Sequence, residues 1–596
     1  MSEKKTPNKL LFNKAVPALL ASVLLAWVIL WILHFGVTLI NDEYAAIDYF
    51  YRVVRKGHFF PTPDKLHKPL SVLMGSVAWL FESPLAFEVA TALFAALFVV
   101  MFYLVLKREA GPIIATVAGA ALVFHPDLMY YSATGSTVLP FAGLSFLGLY
   151  AALRRHESPR MLWLFAGSFL AAGLFRPESW LFAGPALAWW WPGLKDRKGL
   201  VRLFIALAVI GLGPVLWFGK DWLINDNLLH GLAVATRDKA VGTGAPLSAG
   251  HVLHLFSIRI PNRISVPVTL AGALGMAVFI RRQGWRGFLH PLVVFPLLVA
   301  AYVWLIVYMG VYPVQRYWFY DAMFAYFFTA WLAREASLKV KIGGYQVVPP
   351  VLFLCALFPA LGYVLARPGS SPPDLRWLLA FGGFAAVAVA ALLVWGGRSK
   401  SRFKDVVLLG FIVLMVLSYP VFIFGLHGRE SEELRLEARK QSEMKEAAAY
   451  LKKRFTREDE VRVLVPSRRN EQLNWLFRER ERPEVITFRE AFYLDWTCRE
   501  PAESPTDFTP KIKEFCRKWL RQGYDFLVLQ PDWIVYIPDD YQFWGPTEKF
   551  QWMETQDRAV IRGIRIELKI STGLVRVFQV HYPETAPPRE PVPRIP

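Results

Sequence analysis

Apolar residues run almost unbroken for a dozen or more positions, over and over, through the first 430 residues, and polar residues are confined to the gaps. A helix needs about 20 apolar residues to cross a bilayer core. The runs lie at 15–40, 86–106, 112–124, 137–153, 161–175, 180–191, 201–218, 264–280, 288–309, 318–332, 347–365, 377–395 and 406–426. They predict an α-helical polytopic membrane protein with about 13 crossings, the runs within 112–124 and 161–191 being short for full spans. Three gaps are long: 41–85, 220–263 and everything from His427. In the first gap Tyr44, Ile47, Tyr51 and Val54 recur at helical spacing, opposite Asp48, Arg52, Arg55 and Lys56, the pattern of a helix lying in the interface plane. The stretch 70–81 is apolar but too short to span and reads as a second interfacial or re-entrant helix.

The pattern changes after 427. Residues 430–454 read as a charged helix, 461–465 as a strand, 471–480 and 511–521 as helices, 526–529 as a strand and 560–580 as a β hairpin. This alternation predicts a C-terminal soluble α/β domain, 427–596, appended to a membrane module, 1–426. The Pro-rich end 583–596 reads as disordered.

Composition agrees. Of 596 residues 55% are hydrophobic and only 19% charged, with mean hydropathy +0.33, against about 25% charged in soluble domains. The net charge of +19 does not point to nucleic acid, because the basic residues sit in short clusters between apolar runs: Lys107-Arg108, Arg154-Arg155, Lys195/Arg197/Lys198, Arg281-Arg282, Lys339/Lys341 and Arg398/Lys400/Arg402/Lys404. Such clusters mark cytoplasmic loops. Lys4, Lys5, Lys9 and Lys14 put the N-terminus on that side as well. The first run is too long for a signal-peptide core and lacks a small-residue cleavage site, so it reads as a retained helix. An odd number of crossings then places 427–596 outside the cytoplasm. No phosphate-binding Gly-rich loop or dinucleotide fingerprint is present, which argues against an ATP-driven pump.

The most informative stretch is Asn41-Asp42-Glu43-Tyr44, at the outer end of the first run. Two carboxylates there have a plain reading as a helix cap and first turn. Their company is Gly57-His58 and Leu66-His67-Lys68-Pro69-Leu70. An acidic pair after the first helix, an amphipathic helix, a Gly and a Lys-Pro before an apolar half-helix resemble the GT-C superfamily of membrane glycosyltransferases. Within it the chain is most similar to the protein O-mannosyltransferases and the lipid A aminoarabinose transferases. Phe124-His125-Pro126, Leu174-Phe175-Arg176-Pro177-Glu178 and Gln315-Arg316-Tyr317 fit the same plan.

The resemblance implies Asp42 as catalytic base, Glu43 as a second acidic or structural residue, and Lys68, Arg176 and Arg316 as contacts to a lipid phosphate. His67, Tyr44, Glu178 and Tyr317 then become candidates for substrate binding. Aminoarabinose transferases carry an acidic residue where this chain has Ser136-Thr137-Val138-Leu139-Pro140, and another where it has His67, so acceptor or sugar recognition is expected to differ. The chemistry is consistent. A hydroxyl is a poor nucleophile, so glycosyl transfer needs a base beside it and cations around the departing phosphate, and Arg can grip phosphate bidentately. Lys68, Arg176 and Arg316 have headgroup snorkelling as their bland alternative, and Arg176 also a structural pair with Glu178. His67, His125 and His230 lack metal-ligand spacing, so neither metal nor cofactor is expected. Trp189-Trp190-Trp191 reads as an interfacial aromatic belt.

The expected function is therefore an inverting transferase. It would move one sugar from a polyprenyl-phosphate donor to a glycan, lipid or protein acceptor, outside what would be a bacterial inner membrane. The rivals are a flippase or transporter of lipid-linked sugars, and an oligosaccharyltransferase or glycan ligase. A transporter would more often show inverted repeats and helices broken near the midplane. A ligase would take a lipid-diphosphate donor and usually a metal.

Cys355 lies inside an apolar run, whereas Cys498 and Cys516 lie in the tail 18 positions apart. The last two are either free thiols in a cytoplasmic domain or, as the topology favours, a disulfide in an oxidising compartment, worth ~3 kcal/mol. Alkylation of intact protein should leave both unreactive until reduction. Their ready alkylation without reductant would place the tail in the cytoplasm.

Overall fold

A computed structural model describes most of 15–39, 68–182, 197–228, 260–308 and 315–346, and the scattered residues Glu43, Tyr44, Ala46, Ile47 and Phe50. Toward the C-terminus it describes 434–454, 461–465, 470–477, 484–487, 523–529, 557–561 and 564–586. The runs 347–365, 377–395 and 406–426, the helix expected at 511–521 and all three cysteines lie outside these residues. The chain forms two compact units, one of 1–39 with 58–434 and one of 40–57 with 435–596.

The first unit is helical: α1 Val16–Phe35, α2 Pro69–Leu80, α3 Pro84–Ala110, α4 Pro112–Val123, α5 Pro126–Ala133, α6 Val138–Leu153, α7 Arg160–Phe175, α8 Arg197–Asn225, α9 Val266–Gln283, α10 Pro291–Tyr308 and α11 Gln315–Lys339. Proline opens α2, α3, α4 and α5, where its missing N–H costs nothing. Among the described residues α1, α3 and the stretch Arg197–Leu223 are long and apolar enough to cross a membrane, and α4 with α5 makes a fourth if the 54° bend between them is taken as one span. Where a crossing was expected at 180–191, the described part is a 3₁₀ helix, Pro177–Phe182, and the pair Trp189-Trp190. Outward faces carry exposed Leu19, Leu30, Leu33, Phe204 and Val215, as lipid-facing helices do.

Lipid tails are as apolar as leucine, so close packing decides which helices associate. The core of this unit is aromatic. Phe98 meets Phe146 edge-on at 5.1 Å, Phe146 stacks on Phe324 at 5.3 Å, and Phe319 lies 6.0 Å from Phe98, tying α3, α6 and α11 together. α3 and α6 come so close at Gly143 that a Cβ there would stand 2.8 Å from the Phe94 carbonyl.

In the second unit six strands lie in the order β4-β3-β5-β8-β7-β6: β3 Arg462–Val465, β4 Glu484–Thr487, β5 Phe526–Leu529, β6 Arg558–Ile561, β7 Ile564–Ser571 and β8 Arg576–His581. (β1 Lys341–Ile342 and β2 Tyr345–Gln346 form a separate small ladder.) β4, β3 and β5 are parallel, and β5, β8, β7 and β6 pair antiparallel. The continuous apolar run of β5, Phe526, Leu527 and Val528, is buried, as expected of a central strand covered on both faces. The helix 434–454, α12, packs Met444, Ala447, Ala448 and Leu451 onto Val463, Val528 and Val577. The short helix α13 Asn470–Leu476 adds Leu473 to the same core.

Glu443 on α12 fastens that helix to the β7–β8 turn. Its carboxylate accepts hydrogen bonds from the Thr572 hydroxyl at 3.0 Å and the Leu574 amide, and pairs with the Arg439 guanidinium at 2.8 Å. Gly573 between them holds φ at +91°, which an L side chain rarely adopts. Glu443→Ala removes a charged acceptor from a partly buried amide and hydroxyl, so it should cost about 1.5–3 kcal/mol. Hydrogen exchange should quicken across 564–581 while α3 and α6 keep their protection.

Candidate functional site

Three helix ends meet in the first unit. Lys68 is the residue before the first turn of α2, Thr137 holds the same place on α6, and Arg176 follows the last turn of α7. The Lys68 ammonium donates to the Thr137 hydroxyl at 3.2 Å. Arg176 is buried, with its guanidinium carbon 5.7 Å from the rings of both Phe141 and Tyr320. Tyr320 in turn donates to the Val138 carbonyl at 3.0 Å, joining α11 to the start of α6.

Pro177 follows Arg176 directly and cannot continue α7, so the chain turns and brings Glu178 back onto the arginine. Nη2 and Nε of Arg176 donate to Glu178 Oε1 at 2.8 and 3.3 Å. Both side chains are buried. Burial alone would raise the Glu178 carboxyl, but Arg176, helped by the charge of Lys68, outweighs it and holds the acid below its ordinary range. The structure thus gathers Lys68, Arg176 and Glu178, and adds Thr137, Phe141 and Tyr320, which the sequence had not marked. Arg316 and Tyr317 lie on the first turn of α11, four and three positions before Tyr320.

The remaining expected site residues fall elsewhere. Asp42, His67 and His230 lie outside the described residues. Glu43 and Tyr44 belong to the second unit, where Glu43 is fully buried and the Tyr44 hydroxyl donates to the side-chain carbonyl of Gln441 on α12 at 3.4 Å. Among the described residues no three His, Cys, Asp or Glu side chains converge as metal ligands do. His125 instead caps α5: its Nδ1 accepts from the Asp127 amide at 3.2 Å, and its Nε2 stands 3.1 Å from the Arg263 carbonyl. Asp127 forms a buried ion pair with Arg263, fastening the end of the second long gap to the bend between α4 and α5. Asp127, Arg263 and Glu88 are buried ionisable groups that the sequence reading passed over. For Glu88 the signal was present, since a lone acid inside an apolar run is functional by default.

No family model matches the chain, and no curated protein matches its sequence. Its structure does have counterparts. It is similar to the crystal structure of ArnT from Cupriavidus metallidurans bound to undecaprenyl phosphate, at 15% identity and a TM-score of 0.50, over 98% of this chain and 100% of that one. The apo state of the same protein gives 15% and 0.50, over 94% and 97%. Archaeal oligosaccharyltransferase AglB from Archaeoglobus fulgidus, in complex with an inhibitory peptide and a dolichol-phosphate, is more distant: 12% identity and 0.45, over 97% and 75%. The chain is an integral membrane protein that shares its fold with that ArnT structure.

The buried pair makes the first test of this site. Arg176→Ala leaves the Glu178 charge buried without its main partner and should cost about 3–5 kcal/mol. Arg176→Met/Glu178→Leu should recover most of that. Melting temperatures in detergent or nanodiscs read the non-additivity, and two single effects that simply add would show that the residues do not act as a pair.

Proposed function

We propose that this protein is an integral-membrane, inverting glycosyltransferase that moves a single sugar, a hexose or a pentose, from a polyprenyl-phosphate donor to a glycan, lipid or protein acceptor. The observation carrying this reading is the meeting of Lys68 and Arg176 with two helix N-termini and with Tyr320 of α11, in a chain of GT-C fold. Two cations and the positive ends of two helices favour a phosphate. The ArnT structure was solved with undecaprenyl phosphate bound, a ligand of the chemistry these residues suit.

In this mechanism Asp42 takes the proton of the acceptor hydroxyl as its oxygen attacks the anomeric carbon. The bond from that carbon to the phosphate oxygen breaks, and polyprenyl phosphate leaves toward Lys68, Arg176 and Arg316. Glu178 grips the Nε and Nη2 edge of Arg176, fixing the plane of the guanidinium beforehand, so that less side-chain freedom is lost when phosphate arrives. Glu43 supports Asp42, and His67, Tyr44 and Tyr317 contribute to substrate binding. One base opposite one leaving group means one displacement, hence inversion. A topology of about 13 spans with 427–596 outside the cytoplasm is part of this reading and would bring acceptor and donor phosphate to the same side, and no metal or cofactor enters a step.

Asp42→Asn keeps the size of the side chain and removes its basicity. A positioned base contributes about 10²–10⁴-fold, so this variant should bind undecaprenyl phosphate normally and transfer sugar at least ~100-fold more slowly. If Asp42 were only a helix cap, the variant would lose about 1 kcal/mol of stability with turnover per folded molecule intact. A retained anomeric configuration would overturn the mechanism. Activity lost to a chelator would favour an oligosaccharyltransferase-type reaction instead.

A further inference from the structure

The end of the helical unit opposite Lys68 and Arg176 carries a second basic group, which the mechanism above does not use. α3, α6, α9 and α11 finish there, and α7 and α10 begin. Four of its arginines are matched with acids: Arg108 and Arg154 share Glu157, and Arg282 and Arg334 share Glu335. Arg155 is different. Among the described residues no carboxylate pairs with it, and burial pulls its guanidinium below the ordinary range with no acid to oppose the shift.

Arg155 is nonetheless held in place. Its guanidinium carbon stands 3.9 Å from the centre of the Trp189 ring, and its Nε donates to His156 Nε2 at 2.9 Å. Nη1 is enclosed without an acceptor, and the half-buried side chain leaves Nη2 open. Trp189 meets His290 edge-on at 4.8 Å, and Phe279 closes on the same imidazole at 5.0 Å. His290 Nδ1 accepts from the Leu292 amide at 3.3 Å, just before α10. Burial, then the charges of Arg155 and Arg108, push His290 down to about 4, so its ring is neutral at pH 7 and the surroundings stay positive. A planar cation stacked and oriented in advance, with no acid beside it, suits an anion from outside the chain. Its neighbours say which anion. Arg155 lies two positions beyond the apolar α6, and Phe288 and Leu289, directly before His290, are exposed apolar side chains. Free phosphate gains nothing from them, whereas a phospholipid can lay its acyl chains there while its phosphate meets the arginine.

We propose that Arg155, stacked on Trp189 beside His290, binds the phosphate of an anionic phospholipid at the end of the helical unit away from Lys68 and Arg176. The site is separate from the proposed sugar transfer and does not depend on it. The general attraction of a basic surface for anionic lipid amounts to about fivefold in affinity per residue. A charge-assisted contact made by one fixed side chain is worth more, about 10- to 100-fold.

The test titrates full-length protein in mild detergent with phosphatidylglycerol, phosphatidylcholine or inorganic phosphate, counting retained lipid by native mass spectrometry and following the melting temperature. Wild type should hold phosphatidylglycerol at least ~10-fold more tightly than phosphatidylcholine, and only phosphatidylglycerol should raise its melting temperature. Arg155→Ala should weaken phosphatidylglycerol binding at least ~10-fold. Arg281→Ala removes an exposed charge from the same end and should change it by no more than about fivefold. Arg155→Lys should keep part of the affinity, because a point charge replaces the planar fork, and Trp189→Leu should lose affinity by freeing the guanidinium. If Arg155→Ala does not fold, Arg155→Gln decides in its place. Equal losses in the Arg155 and Arg281 variants would reduce the site to a diffuse basic surface and overturn the proposal. Phosphatidylcholine bound as tightly as phosphatidylglycerol, or inorganic phosphate giving the same rise in melting temperature, would overturn it too, the latter in favour of a soluble anion.

Discussion

An arginine and a glutamate buried together at the end of an apolar helix constrain everything around them. Neither charge is tolerable alone in that setting, so Arg176 and Glu178 require α7 to stop where it does, Pro177 to turn the chain, and the rings of Phe141 and Tyr320 to close around the guanidinium. Those rings belong to α6 and α11, whose approach is set by the aromatic stack of Phe146, Phe324, Phe98 and Phe319 deeper in the unit. The ion pair and the aromatic core thus depend on one another. The core gives the pair a dry place to form, and the pair fixes the orientation of the helix ends that the core alone leaves free to slide.

The same logic recurs at the other buried charges. Asp127 with Arg263 fastens the chain after the second long gap to the bend at His125, and Glu443 fastens α12 to the β7–β8 turn. In each case a side chain from one element satisfies groups of another that would otherwise be buried without partners, a stronger constraint than apolar contact because it has direction. In the second unit Tyr44 bonds to Gln441 on α12, so part of the first long gap packs with the sheet-bearing unit.

Much of the architecture was legible in the chain. The apolar runs at 86–106, 137–153 and 161–175 became α3, α6 and α7, and the strand at 526–529 became β5 with the same bounds. These are local matters of period and length. The apolar stretch after Lys68-Pro69 was expected to be a short helix and is α2, because Pro69 opens it. Lys68, Arg176 and Glu178 could be singled out because charges interrupting apolar sequence stand out against it. Thr137, Phe141 and Tyr320 could not, since a hydroxyl or a ring in such a chain looks like ordinary packing until its neighbour is known.

The sequence by itself determined that the chain lies in a membrane, roughly where helices such as α3, α6 and α7 lie, and which charges sit at their ends. Hydropathy, proline and charge act over a few residues and need no partner to be read. Only the tertiary structure decided which ends meet. Lys68 and Thr137 are 69 positions apart, Val138 and Tyr320 182, and Thr38 and Ala133 95. Contacts at such separations are chosen by packing and by the directional demands of buried polar groups, which belong to the folded molecule and not to any stretch of its sequence.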